Sequence, residues 1–364
     1  MQPQATLPIP DTDSLRHSER VTASLKSLIA DAGGSISFGE FMQHALYAPG
    51  LGYYAAGTQK FGAAGDFVTA PEVSPLFGRV LARQSAGVLA QLGNADVLEF
   101  GAGSGALAEH VLAKLAALEQ LPRHYLILDV SADLRERQRE RLTATLPALV
   151  DRVRWLDALP KDFRGVVIAN EVADALPVER FVVGSDGLQQ MRVAVDDDRF
   201  AWRRASAPGW MKDAVATIER DLGRALPPGF VSELSPGLHG WLADIGASLG
   251  EAVVFLFDYG VARHEYYAPD RDGGWLRCHF RHRVHGDPLV YPGIQDLTAW
   301  VDFTAAAEAA VAAGLSVAGF VTQAGFPLNG GLAEELAELR RRRVGGTARV
   351  VPAGEIAYAP RRNG

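Results

Sequence analysis

Three alternate glycines, Gly101, Gly103 and Gly105, follow the apolar run 97–100 and precede a stretch whose apolar residues recur at helical spacing. Glycine lets the backbone approach a ligand closely, and the first N–H groups of a helix have no partner within the helix. A strand, a glycine turn and a helix in this order form the nucleotide site of doubly wound α/β proteins. The spacing therefore predicts a nucleotide-type cofactor at this turn, without deciding which one.

Carboxylates at the ends of the predicted strands separate two candidate cofactors. Gly101, Gly103 and Ala106 also satisfy the dinucleotide pattern G-x-G-x-x-[GA], and Asp129 is placed to hold the ribose hydroxyls of either cofactor. Acids repel a pyrophosphate, whereas S-adenosylmethionine has no phosphate and carries two cations, a sulfonium and an ammonium. The acids expected around the ligand crevice of such a sheet are Glu99, Asp129, Asp157, Glu171 and Asp258. Together they favour S-adenosylmethionine.

The glycine turn opens an alternation of strands and helices. Apolar strands are predicted at 97–100, 125–129, 153–155 and 166–169, with a charged helix over 132–145. Unbroken apolar strands mixed with helices fit a parallel sheet that is buried on both faces. We therefore predict an α/β protein with a Rossmann-like sheet.

Two further regions surround this sheet. Residues 1–93 are predicted to form an N-terminal tail and a helical cap, in which Ser37 and Glu40 have the spacing of a capping box. Residues 94–364 form the Rossmann-like domain, with α+β insertions at about 179–250 and 261–301. The second insertion is too long for a plain connector and is a candidate functional loop. Later strands are expected at 315–322 and 348–351.

Composition excludes several classes of function. The chain has 364 residues and a net charge of −7, which argues against general nucleic-acid binding. No apolar run reaches the ~18 residues of a membrane span, so no membrane insertion is expected. The start of the chain resembles neither a secretory signal nor a transit peptide, and Cys278 is the one cysteine. We expect a cytoplasmic protein without disulfides.

A group of possible metal ligands lies in the second insertion. It consists of Cys278, His279, His282 and His285. A structural zinc site normally combines two separated ligand clusters, which this stretch lacks. We expect no metal here and predict a basic loop that faces substrate or solvent.

Several stretches in a fixed order, spanning roughly residues 36–326, carry a resemblance to one protein family. They are Phe38-Gly39-Glu40-Phe41-Met42, Gly50-Leu51-Gly52-Tyr53-Tyr54, Gly65-Asp66-Phe67-Val68-Thr69-Ala70-Pro71-Glu72-Val73-Ser74 with Phe77-Gly78, Glu99-Phe100-Gly101-Ala102-Gly103-Ser104-Gly105, Asn170-Glu171 with Asp174-Ala175-Leu176-Pro177-Val178, Asp258-Tyr259-Gly260, Arg281-His282-Arg283, Asp287-Pro288-Leu289 with Tyr291-Pro292-Gly293, and Asp296-Leu297-Thr298 with Val301-Asp302-Phe303. This set resembles the MidA-type S-adenosylmethionine-dependent methyltransferases. The family's glycine turn usually reads Gly-Pro-Gly-Arg-Gly, whereas this chain has Gly-Ala-Gly-Ser-Gly at 101–105. The family's usual C-terminal ending is not recognisable in residues 351–364.

The resemblance implies a class I methyltransferase fold and a protein-arginine acceptor. Mitochondrial members of the family methylate protein arginine and help to assemble NADH:ubiquinone oxidoreductase, so the implied partner is a protein substrate such as a respiratory-complex subunit. The resemblance also places Gly65, Asp66 and Thr69 at the active site, where their position before the first strand of the alternation predicts a lid over the cofactor.

An arginine acceptor is best held by carboxylates, because its guanidinium pairs bidentately with an acid. Glu171 and Asp174 are the best-placed pair, with Asp258 as a third catalytic candidate. Asn170 offers a carbonyl to the acceptor nitrogen or to the cofactor. Asp174 is alternatively a cap for the turn before Pro177.

Two other functions stay open from the sequence. One is an NAD-linked Rossmann oxidoreductase, which the glycine pattern alone would allow. The other is a non-catalytic respiratory-complex assembly factor that keeps the fold, against which the intact Glu99, Asp129 and Asn170-Glu171 argue.

Overall fold

A parallel five-stranded sheet forms the centre of the protein. The computed structural model describes residues 7–56, 72 and 74–344. In chain order, the strands of this sheet are β2 (Asp96–Phe100), β3 (Tyr125–Leu128), β4 (Val153–Leu156), β5 (Phe163–Asn170) and β10 (Leu249–Phe257). They lie side by side in the order β10-β5-β2-β3-β4 and are all parallel. The predicted α/β class with a Rossmann-like parallel sheet is confirmed.

Helices cover both faces of this sheet. In chain order, the longer helices of the described chain, whether or not they contact this sheet, are α1 (Thr12–Asp31), α2 (Phe38–Tyr47), α3 (Leu76–Leu92), α4 (Ala106–Ala117), α5 (Ala132–Thr145), α6 (Gly209–Leu222), α7 (Pro236–Ser248), α9 (Phe303–Ala312) and α11 (Leu332–Val344). Short helices are α8 (Arg263–Tyr266) and α10 (Gly325–Asn329), with 3-10 turns at Val150–Arg152 and Pro269–Arg271. Helices α3 and α4 pack on one face and α7 and α9 on the other, so the central strands are buried as their apolar sequences require.

Both insertions contain antiparallel β-structure, and the first also contains the helices α6 and α7. The first contains β6 (Glu179–Gly184), β7 (Gly187–Asp196), β8 (Arg199–Ser206) and β9 (Val231–Leu234). The second contains β11 (Gly260–Val261), β12 (Leu276–Phe280), β13 (Arg283–His285) and β14 (Asp296–Ala299), followed by β15 (Val301–Asp302). Strand β12 lies between β13 and β14. The second insertion is thus more regular than the polar, irregular loop that its sequence suggests.

The N-terminal cap is joined to the first insertion. Strand β1 (Ser35–Ser37) pairs antiparallel with β7, and the predicted capping box of Ser37 and Glu40 starts α2. Apolar residues of α1 and α2 share one core with β7, β12 and β14. Pairing of β1 with β7 therefore positions α2 and the segment after it beside the insertions. The domain boundary at residue 93 stays a prediction.

A buried ion cluster holds α11 against the central domain. Glu335 accepts from Arg79 on α3 at 2.7 Å and lies 2.8 Å from the Lys114 ammonium on α4. All three side chains are buried and little hydrated, so each charge is compensated by an opposite charge of the cluster instead of by water.

One predicted strand, at 315–322, is not observed. Residues 315–322 form no strand, and Val317, Phe320 and Val321 are 50 to 61% exposed. An apolar run becomes a strand only where a neighbour accepts its hydrogen bonds, and within the described residues this run has no paired strand. The other predicted strand, 348–351, lies outside the described residues.

Along the described chain, no helix is long and apolar enough to cross a bilayer.

Candidate functional site

A cavity of about 990 Å³ opens at the carboxyl ends of the parallel strands. We call the part lined by Glu99, Gly101, Gly103 and Asp129 the turn side. The part lined by the second insertion and its neighbours is the insertion side, and its lining includes Tyr47, Tyr54, Asp174, Trp275, Asp296 and Trp300. Asn170 and Glu171, at the end of β5, also line the cavity.

The glycine turn has the conformation that its sequence predicts. Gly101, Gly103 and Gly105 have φ values of 55°, 54° and 81°, in the left-handed region where a Cβ is costly. Gly101 and Gly103 line the cavity. Gly105 does not line it and instead starts α4, where a Cβ would lie 3.4 Å from the Cα of Gln138. Gly105 therefore serves the packing of α4 against α5.

Asp129 lies on the turn side with its carboxylate held by the protein. Its Oδ1 accepts from the Ser131 N–H at 3.0 Å, and its Oδ2 accepts from the Gln138 amide at 2.8 Å. These two hydrogen bonds hold the carboxylate in one orientation at the edge of the cavity.

Glu99 is 2% exposed and lines the same side of the cavity. Its Oε2 accepts from the Tyr125 hydroxyl at 2.7 Å. Burial raises the pKa of Glu99 to about 7, although the Tyr125 hydrogen bond opposes this, and the charge of Asp129 raises it further. A cation bound beside Glu99 would restore its ionised form.

Asn170 and Glu171 place polar side-chain atoms at the end of β5. Within the part of the chain that the structure describes, Asn170 Oδ1 and Glu171 Oε1 are buried without a hydrogen-bond partner. Glu171 has a φ of 55°, and its N–H donates to Phe257 O at 2.9 Å, which fixes the turn of the backbone. Burial, followed by the charge of Asp258, raises the pKa of Glu171 to about 7.

Asp174 and Asp258 have different positions although both follow parallel strands. Asp174 is 7% exposed and lines the cavity. Burial and the charge of Asp258, with smaller effects of Asp296 and Glu171, hold the pKa of Asp174 well above its usual range.

Asp258 is not among the residues that line the cavity. Its Oδ2 accepts the N–H groups of Val172, Ala173 and Asp174 at 3.2, 2.8 and 3.2 Å. Burial raises the pKa of Asp258 to about 7, and these backbone hydrogen bonds oppose the rise. The Asp258 side chain therefore acts on the loop that presents Glu171 and Asp174.

The sequence interpretation missed a further acid that lines the cavity, Asp296 at the start of β14. This side chain is 2% exposed, and its Oδ1 accepts from the Tyr54 hydroxyl at 2.8 Å. The Tyr47 ring stacks on Tyr54 at 5.4 Å, and its hydroxyl donates to Ala175 O at 2.8 Å. Asp296 lies in one of the stretches that carry the family resemblance, which is the one sequence feature that could have identified it.

Two tryptophans form an aromatic wall on the insertion side. Trp275 and Trp300 stack with ring centroids 4.3 Å apart and both line the cavity. They are contributed by the segments before β12 and after β14. Neither has a local sequence pattern that points to a site, because their contact depends on the antiparallel pairing of β12 with β14.

The remaining predicted site residues lie elsewhere or outside the described chain. Asp157 does not line the cavity; its side chain is 91% exposed and pairs with Arg135 at 2.6 Å. Gly65, Asp66 and Thr69 lie outside the described residues. His279 lines the cavity, and among the described residues no three His, Cys, Asp or Glu side chains are grouped to hold a metal ion.

Comparison with known proteins identifies the family. A family model of S-adenosyl-L-methionine-dependent methyltransferases matches residues 80–321. A COG1565 superfamily protein from Burkholderia thailandensis, solved with S-adenosyl-homocysteine bound, is 45% identical with a TM-score of 0.88. That match covers 93% of this chain and 88% of the other.

Curated relatives have the same family character at lower identity. The zebrafish (Danio rerio) protein arginine methyltransferase NDUFAF7 is 28% identical over 75% of this chain and 68% of its own length. The mouse (Mus musculus) protein of that name is 29% identical over 79% of this chain and 69% of its own length.

The comparisons correct one prediction and decide another. The relatives are named as mitochondrial proteins, so the prediction of a cytoplasmic location is wrong. It rested on the absence of a transit-like start, which is a weak observation. The cofactor is S-adenosylmethionine, as the acids around the strand ends indicated, and an NAD-linked oxidoreductase is excluded. With two thirds of its length matched by the family model, the chain belongs to the S-adenosyl-L-methionine-dependent methyltransferases.

Proposed function

We propose that the protein transfers the methyl group of S-adenosylmethionine to a nitrogen of an arginine side chain in a protein substrate. The observation that carries this proposal is the convergence of three acids on the cavity, Glu171, Asp174 and Asp296, of which Asp174 and Asp296 are buried. Glu171 and Asp174 have raised pKa values because the protein leaves their negative charge poorly compensated. A guanidinium supplies the missing charge in a planar, bidentate form.

The turn side fits the cofactor by the chemistry of its donors and acceptors. Asp129 offers ribose hydroxyls a carboxylate that two hydrogen bonds hold in place, and Glu99 offers a buried carboxylate to a cation. The left-handed Gly101 and Gly103 leave the backbone uncovered where the cofactor would approach. Asn170 contributes an amide oxygen that no group among the described residues satisfies. The contribution of Gly65, Asp66 and Thr69 stays a prediction that rests on the resemblance.

When bound, S-adenosylmethionine supplies an electrophilic methyl group on a sulfonium. The protein must align the acceptor nitrogen with it and remove the proton that the nitrogen loses. Glu171 and Asp174 bind and orient the guanidinium. Glu171, whose pKa is about 7, is suited to take up the released proton near neutral pH.

Asp258, first considered a catalytic acid, acts in this proposal through the backbone. Its three hydrogen bonds to the 172–174 loop fix where Glu171 and Asp174 point. Asp157 has no assigned part, because its exposed side chain is paired with Arg135 away from the cavity.

The names of the relatives support a protein as the methyl acceptor. They are protein arginine methyltransferases of about 28% identity, which is too distant to fix a substrate by itself. A respiratory-complex subunit, implied by the family resemblance, stays a prediction for the identity of that protein.

The test is transfer of a labelled methyl group into proteins of a cell lysate, followed by hydrolysis and identification of the labelled amino acid. Methylarginine is the expected product. Label found on another amino acid or on a small molecule would overturn the arginine acceptor, while the methyltransferase assignment would stand.

A further inference from the structure

We propose that Gln138 is a positioning residue for the cofactor, and that it acts by holding Asp129 and the glycine turn in one arrangement. Gln138 lies on α5, is 0% exposed and does not line the cavity. It is absent from the stretches that carry the family resemblance. The inference rests on the proposed contact between Asp129 and the ribose of the cofactor.

The Gln138 amide connects the ends of three parallel strands. Its Nε2 donates to Gly103 O at 2.9 Å and to Asp129 Oδ2 at 2.8 Å. Its Oε1 accepts from the Trp155 indole N–H on β4 at 2.9 Å. Gly103 follows β2 and Asp129 follows β3, so one side chain fixes the relative positions of both cavity-lining groups and β4.

Trp155 determines which way the amide of Gln138 points. The indole N–H can only donate, so it requires the amide oxygen on its side. The amide nitrogen must then face Gly103 O and the Asp129 carboxylate, which are both acceptors. With the amide reversed, its oxygen would face two acceptors and its nitrogen would face a donor, so the reversed orientation is strongly disfavoured.

This arrangement leaves Asp129 prepared for a ligand. The Gln138 amide and the Ser131 N–H each occupy one position on a different carboxylate oxygen. The carboxylate therefore cannot rotate without losing both bonds, so it faces the cavity in one orientation. Holding a binding group in place beforehand raises affinity, because less ordering is needed on binding.

The experiment is a double-mutant cycle of Gln138→Met and Asp129→Asn, read as the Kd of S-adenosylhomocysteine by calorimetry. Each single change is expected to weaken binding about 10-fold, since losing a hydrogen bond to a charged group costs about 1.5–3 kcal/mol before relaxation. If Gln138 acts through Asp129, the double variant loses clearly less than the product of the two single losses. An analogue without ribose hydroxyls should lose clearly less affinity on Gln138→Met than S-adenosylhomocysteine does, since only the contribution of the glycine turn remains.

Two variants separate positioning from a general loss of structure. Gln190→Met is the matched control, because Gln190 is also a buried glutamine that donates to a carboxylate, Glu179 at 3.0 Å, and it does not line the cavity. It should leave the affinity unchanged. Trp155→Phe keeps Gln138 but releases the orientation of its amide, and about 3-fold weaker binding is expected, an effect of less than 1 kcal/mol.

The outcomes distinguish the two levels of the proposal. Strictly multiplicative losses, or an equal loss for the analogue without hydroxyls, would show that Gln138 does not act through Asp129. Unchanged affinity in Asp129→Asn would instead remove Asp129 from the cofactor site, and the inference with it. None of these results bears on whether the acceptor is arginine.

Discussion

The two sides of the cavity differ in how far their charges are satisfied before a ligand arrives. On the turn side, both oxygens of Asp129 accept hydrogen bonds and Glu99 accepts one from Tyr125. On the insertion side, Glu171 keeps a buried oxygen without a partner, and the pKa of Asp174 is held well above its usual range. The turn side is thus arranged in advance for one cofactor, whereas the insertion side gains most when a cation enters.

The largest effect expected is on the turn side. Gly103→Val should abolish cofactor binding, because a β-branched residue is strained at a φ of 54° and its side chain would occupy the cavity lining. Titration with S-adenosylhomocysteine measures this. Gly223→Val is the control, with a φ of 65° and nothing within 4 Å of its added Cβ. Equal loss of binding in both variants would attribute the effect to misfolding.

On the insertion side, Glu171→Gln should lower kcat about 100- to 1,000-fold, the range typical for losing one electrostatic group that stabilises a transition state. Cofactor affinity should change little, which is the contrast with Gly103→Val. Labelled-methyl transfer gives kcat, and Glu251→Gln, an exposed pair with Arg164, is the control. Parallel loss of cofactor affinity would show that the two sides are not separable.

The pH dependence of stability should reveal the poorly compensated charge. Glu171 has a pKa of about 7 when folded against 4.5 ordinarily, so between these values the folded protein holds a proton that the unfolded chain releases. Raising the pH across this range therefore lowers the free energy of unfolding, by up to about 3 kcal/mol from this group alone.

Urea denaturation of the ligand-free protein at pH 5 and pH 8 measures this loss. Glu171→Gln should lose less stability over the same range, since it has no carboxyl to ionise. If Glu171→Gln lost as much unfolding free energy between pH 5 and pH 8 as the wild type, ionisation of Glu171 would not be what destabilises the folded protein.

The smallest effect concerns Asp157. Its side chain is exposed and paired with Arg135, so Asp157→Asn should change cofactor affinity less than about 2-fold, as surface ion pairs contribute about 0–1 kcal/mol. Calorimetric titration decides this. A loss as large as that of Asp129→Asn would place Asp157 on the turn side after all.

The turn side was largely predictable because it is local in sequence. A strand, the Gly101–Gly105 turn and a helix follow one another directly, and strand-end acids meet wherever parallel strands are aligned. Gln138 escaped prediction because a polar residue in a charged helix has no pattern that shows burial. Its role depends on the packing of α5 against the glycine turn, where a Cβ added at Gly105 would lie 3.4 Å from the Gln138 Cα.

The insertion side was less predictable because it is assembled from distant segments. Asn170, Glu171 and Asp174 could be found since they follow a strand of the central sheet. Asp296 and the Trp275–Trp300 wall are contributed by an antiparallel sheet whose register no short sequence window shows. The prediction of a strand over 315–322 was wrong for a related reason, since a strand pattern does not reveal whether a neighbouring strand is present.

The Tyr54–Asp296 hydrogen bond has a consequence for the order of folding. It joins residues 242 positions apart, whereas the bonds described on the turn side join residues 2 to 35 positions apart, from Ser131–Asp129 to Gln138–Gly103. Contacts of large sequence separation form late, because a long loop must close before they contribute. As the chain emerges from the ribosome, we therefore expect the turn side to form before the insertion side is complete. The enzyme would then have a place for its cofactor before it has one for its substrate.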